Sequence, residues 1–119
     1  VQDGEGYDPL HTENETIHFI AMENNSEFTR HGTRVLCKTA SVNHEFTPIN
    51  YGHTLHFGNC LGQVMTFNGS DPGGLRINDP DRRAYSDSSV SLKVEEDISG
   101  DAEQWHNYET VGIIAFGRE

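Results

Sequence analysis

Basic residues are scarce: eight Lys and Arg face 19 Asp and Glu in 119 residues, a net charge of −11. Nucleic acid and anionic membranes are drawn to basic surfaces, so this balance argues against both as partners. It leaves cations, neutral ligands such as sugars, and other copies of the chain. Long apolar runs are missing as well. No stretch approaches the roughly 20 residues that a membrane-crossing helix needs, so no membrane insertion is expected. Val1 to Gly6 are polar and acidic, so no signal segment is visible and the numbered chain reads as a mature product. Cysteine is limited to Cys37 and Cys60, and without a Cys-x-x-Cys spacing they make a poor case for zinc or thiol redox catalysis. There is no Gly-x-Ser-x-Gly elbow, phosphate loop or His-Glu-x-x-His signature either. No nucleophile–base arrangement can be read, so the chain is expected to be no enzyme and to require no cofactor.

Three glycosylation sequons are present: Asn14-Glu15-Thr16, Asn24-Asn25-Ser26 and Asn68-Gly69-Ser70. Three in so short a chain point to a secretory route, hence to a secreted or cell-surface protein carrying N-linked glycans. Asn68-Gly69-Ser70 reads equally as a plain turn, and glycosylated asparagines commonly sit on turns. In that compartment the pair Cys37 and Cys60 reads first as one disulfide. It would close a loop of about 24 residues and stabilise the fold by roughly 3 kcal/mol.

Apolar residues alternate with period two or form short runs, and nowhere sustain a helical stripe. Val90, Leu92 and Val94 point one way while Ser91, Lys93 and Glu95 point the other, as in a half-buried antiparallel strand. Residues 33–39 and 62–67 read as further strands, with shorter ones at 54–57 and 75–77. Turn signals separate them: Asn50-Tyr51-Gly52, Gly58-Asn59, Asn68-Gly69, Asp71-Pro72-Gly73-Gly74 and Asn78-Asp79-Pro80-Asp81. The expected fold is all-β, an antiparallel β-sandwich of about seven short strands, with a small closed barrel as the alternative. Residues 1–26 read as an extended N-terminal arm and residues 27–119 as the sandwich domain.

The sequence also echoes itself. Glu15-Thr16-Ile17-His18-Phe19-Ile20-Ala21-Met22 matches Glu109-Thr110-Val111-Gly112-Ile113-Ile114-Ala115-Phe116, with Glu, Thr, Ile and Ala identical and Ile/Val conservative. The chain thus reads as beginning with the closing strand of one unit and ending with that of the next. Both stretches are apolar on both faces, and such a strand must be covered on both. At a terminus one cover can come from another molecule. Ile17, Phe19, Ile20 and Met22 are therefore the expected assembly strand. Val111, Ile113, Ile114 and Phe116 are expected in the receiving sheet or the core. Donation from each subunit to the next would be head-to-tail and would propagate as a fibril. The alternative is that both strands pair within one domain.

Gln63 to Pro72, Arg76, Val90 to Asp97 and His106 to Ala115 together resemble a repeat module of large extracellular surface proteins, distantly similar to the H-type lectin domain. The likeness covers residues 45–116 and is strongest at both ends. It implies a compact antiparallel sandwich, extracellular and often tandem or oligomeric, with sugar binding in the lectin branch. Two functions follow as expectations: a structural or adhesive glycoprotein subunit assembling with copies of itself, or a lectin-like carbohydrate-binding module.

Trp105, His106 and Tyr108 are the candidate sugar contacts, with Tyr51 and Tyr85 as further flat faces for a sugar ring; core packing is the plainer reading of such aromatics. His106 and Glu109 could pair and fix the turn before the last strand. His53 and His56 would face opposite sides of a strand and could not share a metal. Glu96, Asp97, Asp101 and Glu103 offer hard oxygen ligands suited to calcium, although a solvated acidic loop is the plainer reading.

Overall fold

Strand β6 (Ser89–Glu96) buries every second residue, and so does β7 (Glu109–Arg118). This is the alternation that a strand facing a core on one side requires. The computed structural model has five more strands among the described residues: β1 (Glu27–Arg30), β2 (Thr33–Val42), β3 (Thr47–Asn50), β4 (His56–Val64) and β5 (Gly73–Ile77). The structure describes residues 14, 16–69, 73–77, 87–96 and 104–119. The protein is an all-β sandwich of two antiparallel sheets, one ordered β1-β2-β7-β4 and the other β3-β6-β5. Leu36, Val42, Ile49, Tyr51, Leu55, Val90, Leu92, Val94, Val111, Ile113 and Ala115 fill the space between them.

β7, ten residues long, lies centrally between β2 and β4 and is paired along both edges. Val111, Ile113 and Ala115 are buried in the core, whereas Ile114 and Phe116 lie half-buried on the outer face of the sheet. β1 and β2 are joined through His31 and Gly32, both at positive φ (51° and 75°). Successive left-handed residues make the tight turn whose twist matches a two-residue hairpin.

The structure corrects several sequence expectations. The strand expected at 62–67 starts earlier, at His56, and ends at Val64. Gly58-Asn59 is no turn between two strands. The register with β7 shifts between His56 and Asn59, so one extra residue is absorbed as a bulge inside β4. Tyr51, a suggested sugar platform, is buried in the core, and Tyr85 lies outside the described residues.

The expected Cys37–Cys60 disulfide is overturned: both are free, buried thiols. Leu36 and Cys60 both sit opposite Ala115 on β7, whereas Cys37 sits opposite Ile114. Cys60 therefore points into the core and Cys37 to the outer face, with β7 between them. Two strand spacings, about 10 Å, separate the backbones, beyond the span of a disulfide.

Candidate functional site

Two features stand out from the core: a buried polar network and an exposed apolar segment. The network arises because the apolar alternation of β6 and β7 runs into a glutamate. Glu96 follows Val90, Leu92 and Val94 in phase, and Glu109 precedes Val111 and Ile113 in phase, so both carboxylates point inward and are buried. A buried carboxylate is tolerated only when well partnered. His106 supplies the partner, with Nδ1 2.7 Å from Glu96 Oε1 and Nε2 3.1 Å from Glu109 Oε1. The ring can donate to both carboxylates only when it carries both protons.

Glu109 also accepts from Thr66 Oγ1 (2.6 Å), the Asn68 amide (2.6 Å) and the Gly69 amide (3.0 Å). Burial pushes its carboxyl up, but these bonds and the one from His106 more than offset that and hold it below the usual carboxylate range. The His106 amide donates to His44 Nδ1 at 3.3 Å, tying the β2–β3 connection to the same cluster. The expected His106–Glu109 pair thus exists and fixes the turn at 66–69 as well as the approach to β7. With His106 only 2% exposed, the network has no open face for a substrate. It is a clamp that joins four segments of chain.

This placement sorts the expected site residues. His106 is no sugar contact, because it is enclosed, whereas Trp105 and Tyr108 on either side are 57% and 62% exposed. The Trp105 ring lies tilted against His44, with centroids 5.8 Å apart. Glu96 is engaged by His106 and is not free to ligate calcium; Asp97, Asp101 and Glu103 lie outside the described residues. His53 and His56 diverge, the first to Glu27 Oε2 (2.8 Å) and the second to Asp87 Oδ2 (3.2 Å). The phase of Glu96 with the apolar residues of β6 was the signal that it belongs to the core.

Asn14 and Asn24 are exposed. Asn68 is exposed too, but its Nδ2 donates to Tyr108 O (2.9 Å) and Thr66 Oγ1 (3.3 Å). A glycan linked at Nδ2 replaces one hydrogen, so it would displace one of these bonds.

The apolar segment is the second feature. Residues 16–23 form no strand, and Ile17, Phe19 and Ile20 are 71%, 86% and 71% exposed. Met22 is half-buried, its carbonyl 3.9 Å from Cys37 Sγ. Between this segment and the outer face of the larger sheet lies a groove of about 740 Å³, with Cys37, Leu61, Met65 and Ile114 on its floor. The expected assembly strand is thus displayed outside the sandwich and unpaired, while its echo is the central strand β7. No protein family, curated protein or solved structure compared with the chain matches it.

Proposed function

We propose that this protein is an extracellular structural or adhesive glycoprotein subunit that assembles with copies of itself, head to tail, through the segment Ile17–Met22. The observation that carries the reading is the exposure of Ile17, Phe19 and Ile20 together on a segment without strand partners. Burying each such side chain contributes roughly 1.5–3 kcal/mol, so a display of three favours covering by another molecule. Its sequence match to β7, a strand paired along both edges, says what kind of partner suits it. A contact between the segment of one copy and a different surface of the next is heterologous and need not close, and an unclosed one propagates as a fibril or linear array. Exposed Asn14 and Asn24 suit glycans that solvate the outside and limit lateral clumping. The resemblance to surface-protein modules agrees with this setting.

Sedimentation velocity tests it. The chain should form concentration-dependent oligomers, and Phe19→Asp should shift the distribution to monomer. Equal assembly by both would sink the reading.

A second reading, a lectin-like module, is favoured by exposed Trp105 and Tyr108 standing on the clamped segment that ends in β7. An aromatic face held rigid can stack on a sugar ring at low entropic cost. Glycan binding by the monomer, lost in Trp105→Ala, would support it. Loss on chelation would bring in calcium through Asp97, Asp101 and Glu103. Binding that survives both changes would place the sugar site elsewhere.

A further inference from the structure

Sheet edges are where a strand from another molecule can add, and among the described residues the two sheets present four. β1 is four residues long and carries Glu27 and Arg30; β3 is four residues long and contains Pro48; β5 has five residues, Arg76 among them. Short length, charge and proline are the devices that blunt an edge against further pairing. β4 has none of these three along Asn59–Val64, and its bulge is confined to the His56–Asn59 end. Its nine residues, His56–Val64, include no proline, lysine, arginine, aspartate or glutamate, and exposed Phe57 and Leu61 flank its course.

The polar groups of that edge can be assigned. The Met65 amide donates to Thr110 O at 2.7 Å, and Val64 stands opposite Val111 in the antiparallel register. Backbone groups alternate sides along such a ladder, so Leu61, Gln63 and Met65 bond towards β7. Cys60, Gly62 and Val64 turn their N–H and C=O groups away from it; among the described residues no strand hydrogen-bonds to them, although Leu75 of β5 packs against Gly62 from the core side.

Building on the assembly reading above, we propose that the free edge of β4 receives residues Thr16–Met22 of a second copy as an added strand. The occupant is argued from the echo. β4 already pairs along its other edge with Val111–Phe116, and Ile17–Met22 repeats that stretch with the same alternation. Ile17, Phe19 and Ala21 would continue the inward row of Val111, Ile113 and Ala115, with Ile20 and Met22 on the outer face beside Leu61. Backbone hydrogen bonds would supply affinity, and the two apolar rows would set register.

Residue-resolved amide hydrogen exchange tests the edge separately from the assembly. The comparison is between the full chain and its Phe19→Asp/Ile20→Asp variant, whose substitutions fall on exposed positions and leave the sandwich intact. In the assembled wild type the Cys60, Gly62 and Val64 amides should exchange about tenfold or more slowly than in the variant. A segment lying flat on the sheet face would not hydrogen-bond those three amides. Self-association of the wild type with unchanged exchange at these positions would overturn the β4 edge and leave segment-driven assembly standing. A wild type that stays monomeric would overturn both.

Discussion

Glu109 gathers four hydrogen bonds from two segments, the 66–69 turn and His106, and removing its carboxylate would leave several donors unpartnered in the core. Glu109→Ala should therefore cost about 3 kcal/mol or more in urea unfolding, and Glu109→Gln less, since its amide oxygen still accepts. The pH dependence has a definite sign. Glu109 has a folded pKa below its ordinary 4.5, so its stabilisation is complete above that value and is lost as pH falls through the lower folded value. Acid unfolding should accordingly be shallower in Glu109→Gln, read from midpoints across about pH 5 to pH 3. The thiols give a second residue-scale expectation. Burial pushes Cys60 up to about 11, leaving a protonated and sluggish thiol at neutral pH. A thiol reagent should count two groups after unfolding without reductant and react slowly before it. A count of zero would contradict the placement of Cys37 and Cys60 on opposite faces.

At the scale of elements, the turn at 66–69 and the entry to β7 are held as one piece. A Cβ added at Gly69 would come within 2.6 Å of His106 Cε1, and that ring is fixed at both nitrogens. Gly69→Ala should destabilise by about 1–3 kcal/mol in urea unfolding and loosen the surroundings of Trp105 and Tyr108, visible as altered tryptophan fluorescence. Strands with strong alternation, β6 and β7, were legible in the sequence because each packs one face on the core. β1 and β3 were not. Every residue of β1 is exposed and β3 buries only Ile49, so neither carries a periodic signal. Gly58-Asn59 has the composition of a turn, yet pairing with β7 on either side keeps the strand going through a bulge. The clamp was half legible. Spacing suggested His106 with Glu109, whereas Glu96, though in phase with Val90, Leu92 and Val94, also begins the acidic run into Asp97, which masks its inward role. The mistaken disulfide has the same root: cysteine count and compartment carry no information about which sheet face each side chain occupies.

For the molecule as a whole, an acidic sandwich displays one apolar segment that its own fold leaves unpaired. With a net charge of −11, copies repel at long range, and added salt screens that repulsion over roughly a Debye length. Raising sodium chloride from about 20 to about 300 mM should therefore strengthen self-association, followed by light scattering. Charge pairing between copies would show the reverse trend. Ile17–Met22 is proposed to join one subunit to the next, and electron microscopy of the purified chain beside Phe19→Asp/Ile20→Asp decides it. Continuous filaments with one subunit per repeat in the wild type, and dispersed monomers in the variant, are the predicted result. Monomeric particles in both would contradict the account.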